Sequence, residues 1–142
     1  MPYEVTKIEV WAGDLPNHPG TLAQRLEAFA KAGANLEFVI ARRKSEDTSR
    51  AFFAPVRGKK QQQAAIDLGV QKAVGLHALR IEGPDKPGLG ACLTKSLGDA
   101  GINLRGLSAA SLGKRSVCYV AFATAEEAKR AGRILQKTLN GR

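Results

Sequence analysis

Apolar positions recur along this chain with two periods, and the periods alternate twice in the same order. The second half shows it more cleanly. Leu76 to Glu82 alternates loosely and stops at Gly83-Pro84, which predicts a strand and its end. Asp85 is placed as a cap, with Pro87 suited to the first helical turn. Leu89, Cys92, Leu93, Leu97 and Ala100 then share one face at helical spacing, and Gly101 is placed to close that helix in the left-handed conformation. Leu104 to Leu112 and Val117 to Ala123 read as strands about a turn at Gly113-Lys114-Arg115. Ala125 to Leu139 reads as a helix with Ala128, Ala131, Leu135 and Leu139 inward. Thr124 is its cap and Glu127 completes a capping box. The order is β-α-β-β-α.

The first half repeats that order. Val5 to Trp11 reads as a strand with Ile8 and Val10 on one face, and Leu22, Leu26, Phe29 and Ala30 form a helix face. Leu36 to Arg42 and Arg50 to Val56 are strands about the polar turn from Lys44 to Ser49. Gln61 to Leu68 is a shorter helix ended by Gly69. Val70 to Glu82 is nearly continuous extended chain, broken at Gly75, that closes one unit and opens the next. Pro19-Gly20 and Gly33-Ala34-Asn35-Leu36 stand 68 residues before Pro87-Gly88 and Gly101-Ile102-Asn103-Leu104. A repeat of that length is a whole supersecondary unit used twice, dividing the chain into residues 1–74 and 75–142.

The fold expected is α+β: two ferredoxin-like βαββαβ-type units, each an antiparallel sheet with its helices on one face. Phe52 and Phe53 are adjacent on one strand and point to opposite faces, so both faces of the first sheet are expected to be partly covered. The second repeat runs out of chain after Leu139, before its last strand. An open sheet edge invites pairing, so a strand from the other repeat or another chain is expected there, with a homodimer or larger homo-oligomer as the consequence. The join from Val70 to Ile81 lacks linker composition, so the units are expected to associate directly.

Composition narrows the function classes. With 142 residues, 44% hydrophobic and 25% charged, the chain is globular rather than disordered. It has no apolar run of membrane-spanning length, and Met1-Pro2-Tyr3-Glu4-Val5 lacks the basic flank and apolar core of a secretion signal. Cys92 and Cys118 are too few for a disulfide framework and read as core residues. With no zinc-type spacing beside them, a cytoplasmic address and no metal or cofactor are expected. His77 reads as structural. Ser108, Ser111 and Ser116 have no His/Asp arrangement nearby, so no catalytic activity is expected. Trp11 suits packing or the lining of a pocket.

The net charge of +9 invites a nucleic-acid reading, but the basic residues are scattered over Arg42-Arg43-Lys44, Arg57 with Lys59-Lys60, Lys114-Arg115 and the last helix. A ferredoxin-like RNA binder needs aromatics at alternate strand positions to stack bases from one face. Here Phe52 and Phe53 are adjacent, and Tyr119 and Phe122 are three apart.

The strand, Asp85-Lys86-Pro87-Gly88, helix and Gly101-Ile102-Asn103-Leu104 together resemble the ACT domain, a small ligand-binding regulatory module. The first repeat resembles it in Pro19-Gly20 and Gly33-Ala34-Asn35-Leu36. It departs in a longer segment from Gly13 to His18, in Asn17 where the second repeat has Asp85, and in Arg25 and Leu26 opposite Leu93 and Thr94. The resemblance implies a stand-alone tandem regulatory protein that binds an amino acid at the seam between units. It implies ligand contacts from the polar residue two before each Pro-Gly, Asn17 and Asp85, and from the Asn of each Gly-x-Asn, Asn35 and Asn103. His18, Gly20, Lys86 and Gly88 complete the candidate set. The chemistry agrees, because helix-start N–H groups suit a carboxylate and a carboxylate or amide oxygen suits an ammonium. The alternatives are an assembly module that regulates a partner enzyme without any ligand, and a basic RNA-binding protein.

Overall fold

Glu9 and Val10 interrupt the first extended segment, and its two halves go to different sheets. The computed structural model describes residues 2–141. Its first half carries β1 (Glu4–Ile8), β2 (Trp11–Pro16), α1 (Thr21–Lys31), β3 (Phe38–Arg43), β4 (Thr48–Ala54) and α2 (Gly58–Asp67). Then come β5 (Gln71–Lys72), β6 (His77–Pro84), α3 (Leu89–Asp99), β7 (Gly106–Leu112), β8 (Arg115–Phe122) and α4 (Ala125–Leu139). One unit comprises Glu9–Val74, the other Met1–Ile8 with Gly75–Arg142.

In the Glu9–Val74 unit the antiparallel sheet runs β3-β4-β2-β5. Residues Gly13 to Pro16, which lie beyond the strand expected from Val5 to Trp11, are strand: β2 pairs with β4 from Trp11↔Phe53 to Pro16↔Thr48. The alternation was masked by Gly13, which stands at an inward position without a side chain. A Cβ there would lie 2.9 Å from the Gly69 carbonyl oxygen, so close backbone approach requires the glycine. Trp11, Leu15, Phe29, Phe53 and Val70 form the core with Leu22 and Leu26 of α1, and the Phe29 and Phe53 rings meet at 5.0 Å. Ala30, expected on the inward face, is exposed. Trp11 packs in this core.

The other unit repeats the strand order as β1-β6-β8-β7, again antiparallel. The strand that the second repeat lacks is therefore β1, from the start of the chain, in register from Glu4↔Glu82 to Ile8↔Ala78. With β1 covering the β6 edge, that edge gives no reason to bring in a second chain, and residues 2–8 lie with the second repeat rather than the first. Tyr3 fixes this arrangement. Its hydroxyl donates to the Pro84 carbonyl at 2.7 Å, its backbone N–H donates to Asn140 Oδ1 at 2.6 Å, and Asn140 Nδ2 donates back to the Tyr3 carbonyl. Gly83 has no Cβ because the Tyr3 ring occupies that space.

Leu79, Ile81, Leu93, Leu97, Val120, Phe122, Ala131 and Leu135 make the core of this unit. Cys118 is buried with them, but Cys92, expected inward, is exposed. Its place one position before Leu93 leaves it at the border of the stripe, and Leu89, Leu93 and Leu97 fill the buried face.

Both first helices end alike. Ala34 and Gly33 donate to the Phe29 and Ala30 carbonyls, as Ile102 and Gly101 donate to those of Leu97 and Gly98, with Gly33 and Gly101 left-handed. The Arg130 guanidinium also reaches the Ala100 carbonyl at 2.9 Å. Thr124 caps α4 as expected by accepting from the Glu127 N–H. Among the described residues no helix is long and apolar enough to cross a membrane.

Candidate functional site

The chain turns from β2 into α1 through Asn17-His18-Pro19-Gly20, and from β6 into α3 through Asp85-Lys86-Pro87-Gly88. Each turn ends on a glycine in the left-handed region, Gly20 at φ 90° and Gly88 at φ 82°, which a side chain would strain. Each glycine is the residue before its helix, and neither helix start has a side-chain cap. Asp85, expected as a cap, therefore does not cap α3. Pro87 likewise precedes the helix instead of lying in its first turn.

The carbonyls of His18 and Lys86 take the first helical N–H groups, Thr21 and Leu89, while Gly20 and Gly88 take those of Gln24 and Cys92. The two N–H groups between, on Leu22 and Ala23 in one helix and Gly90 and Ala91 in the other, have no acceptor among the described residues. They sit at the positive end of the helix dipole and suit an anion.

The two turns differ in what their leading residue does. The Asn17 amide is committed to its own unit: its Nδ2 donates to the Glu46 carbonyl and its Oδ1 accepts from the Ser49 hydroxyl, both at 3.1 Å. Its backbone N–H donates to Asp47, and together these bonds latch the turn to the β3–β4 hairpin. The Asp85 backbone makes the matching bond to the Lys114 carbonyl, but its carboxylate is exposed with no partner among the described residues. Of the two leading side chains, that of Asp85 alone has no partner among the described residues. His18 and Lys86 are exposed beside these residues, and His18 Nδ1 lies 3.5 Å from the Pro19 carbonyl oxygen.

Asn35 and Asn103 are exposed at the far ends of α1 and α3. Asn103 Oδ1 accepts from the neighbouring Leu104 N–H at 3.1 Å. An 11-residue helix rises roughly 16 Å, so within a unit neither Asn35 joins Asn17 nor Asn103 joins Asp85.

The sequence reading missed the carboxylate three residues before each turn. Asp14 accepts from Lys44 Nζ and Arg50 Nη1, both at 2.9 Å. Glu82 accepts from Arg80 Nη1 at 2.8 Å and Arg115 Nη2 at 3.1 Å. Hydrogen bonds from these cations hold both carboxyls below their ordinary range, Lys44 leading for Asp14 and Arg80 for Glu82. Asp14 and Glu82 stand 68 residues apart, a signal lost because the expected first strand stops at Trp11. Thr21 and Ser116 are also structural, donating to the Pro16 and to the Gly83 and Pro84 carbonyls.

Burial raises the Cys118 thiol above its ordinary range, with Asp85 adding to the effect, and raises the Tyr3 phenol in the same way. No group of three His, Cys, Asp or Glu residues among those described could hold a metal ion. Phe53 and Phe122 are fully buried and cannot stack on a base, while Phe52 carries the Arg50 guanidinium 5.5 Å above its ring.

Comparisons with known proteins bear on the fold. No family model matches the chain, and no curated protein matches it. Solved structures do. A protein from Bacteroides thetaiotaomicron superposes with a TM-score of 0.79 at 16% identity, over 94% of this chain and 89% of that one. The ligand-free regulatory subunit of aspartate kinase from Thermus thermophilus gives 0.65 at 15% identity, over 97% of each chain. A putative C-terminal regulatory domain of aspartate kinase from Porphyromonas gingivalis gives 0.57 at 17%, over 96% of this chain and 95% of that one. The chain thus has the fold of these regulatory domains: two ferredoxin-like units of the ACT type.

Proposed function

We propose that this is a non-catalytic regulatory protein that binds an amino acid, with the Asp85–Gly88 turn holding the ligand's backbone groups. The observation that carries the reading is the pairing, in one turn, of an uncommitted carboxylate with open helix-start N–H groups. The N–H groups of Gly90 and Ala91 suit the ligand carboxylate and Asp85 suits its ammonium. Gly88 lets the ligand approach the backbone. The shared fold with aspartate kinase regulatory domains supports a regulatory role.

Under this reading Lys86 lies at the rim, and Asn103 or Asn35 contributes from an adjoining unit, in the same chain or a second copy. The Asn17–Gly20 turn, with its amide already engaged, is the weaker site. A homo-oligomer, a cytoplasmic address and a regulated partner enzyme belong to the same proposal. The test is a thermal-shift panel of free amino acids on the whole chain, since a ligand bound only by the native state raises its stability. A shift for one chemical class, lost in Asp85→Ala, supports the site. No shift at millimolar concentration removes the reading.

A further inference from the structure

A groove of about 610 Å³ lies between β1 and α4, away from the turns described above. Val5 and Leu79 line it from the sheet and Ala128 and Gly132 from the helix, with Lys7, Lys129 and Arg133 at its rim. The pairings Val5↔Ile81 and Lys7↔Leu79 put both β1 side chains on the helix-covered face. β1 is the edge strand of its sheet, paired to β6 on one side.

Two features set this groove apart from an ordinary helix–sheet joint. Gly132 stands in the interior of α4, where it weakens the helix. A Cβ there would meet only Leu79 Cδ1 at 3.7 Å and Cδ2 at 4.0 Å, an ordinary contact, so packing within the unit does not demand the glycine. Its absent side chain leaves room over Leu79. Lys7, Lys129 and Arg133 are all exposed without an ion-pair partner among the described residues, and Glu126 is the one acid lining the groove.

We propose that this groove takes an acidic, extended segment of a partner protein, which adds to β1 as a further strand. An edge strand flanked by a helix is the arrangement that strand addition uses: backbone groups pair along the edge and alternate side chains drop into the groove. Apolar side chains of the segment cover Val5, Leu79 and Gly132, and acidic ones meet Lys7, Lys129 and Arg133. Charge sets the choice of occupant. A second copy of this chain, at net charge +9, would bring its own cations against these three.

The probe is a short peptide repeating valine-threonine-glutamate-threonine, which sets valine and glutamate on one strand face, blocked at both ends and added to the whole chain isotopically labelled for amide NMR. Shift changes at residues 4–8 and 125–136, with slowed exchange of β1 amides, are expected. The double variant Lys129→Glu/Arg133→Glu should weaken binding at least about tenfold, and Gly132→Leu should also weaken it by filling the groove. The same peptide with lysine in place of each glutamate should not bind. Four results overturn the proposal: no shifts at millimolar peptide, shifts confined to other elements, equal shifts from free glutarate, or β1 amides protected by self-association without peptide.

Discussion

Asn17 and Asp85 occupy equivalent places and answer different demands, which separates stability from binding. Asn17→Ala removes two side-chain hydrogen bonds that hold its turn to the β3–β4 hairpin, and should cost about 1 kcal/mol in denaturant unfolding. Asp85→Ala removes no such bond and should change stability by less than about 0.5 kcal/mol. If the amino-acid reading holds, the same Asp85 substitution should weaken ligand binding by roughly 1–3 kcal/mol in titration calorimetry. Glu82 adds a pH signature. Its folded carboxyl titrates below the ordinary range because Arg80, then Arg115, hold its charged form. The stability it contributes is therefore present above the ordinary glutamate pKa and is lost as pH falls through the lowered folded value. Glu82→Gln should flatten that part of the acid melting curve, and Tm against pH between neutral and strongly acid solution checks it. The sequence named Asp85 and Asn17 correctly as residues of the turns, but which was free depended on Glu46 and Ser49, brought close only by strand pairing.

At the scale of elements, legibility followed locality. The Thr124 cap of α4, the glycine stops of α1 and α3 and the hairpin of β7 and β8 are set within a few residues, and the local sequence exposes them. The division between β1 and β2 is not local. Ile8, Val10 and Trp11 continue an apolar run across it, and only the competing registers with β6 and β4 pull its halves apart. Gly132 shows an element whose sequence departs from what its own stability favours. Its surroundings admit a methyl group, so Gly132→Ala should raise stability by about 0.5–1 kcal/mol through helix propensity. A midpoint shift in urea without a change of slope would show it. A loss of stability there would mean that Leu79 cannot yield the space.

At the scale of the whole molecule, the Glu9–Val74 unit is an insertion between two neighbouring strands of the other. The chain leaves at Ile8, which pairs with Ala78, and it returns at Gly75. Antiparallel neighbours in register can be joined by a tight turn. Replacing residues 9–74 with a short Asn-Gly turn should therefore leave β1 and β6 as an ordinary hairpin. The shortened chain should keep the core of Tyr3, Ile81, Leu93, Val120 and Leu135, and the groove beside β1. It should melt in one cooperative transition with the near-ultraviolet signal of a packed Tyr3. A fragment of residues 75–142 alone leaves the β6 edge bare and Gly83 without the Tyr3 ring. It should gain cooperativity only when a peptide of residues 1–9 is supplied. Cooperative melting of that fragment without the peptide would show that β1 is dispensable.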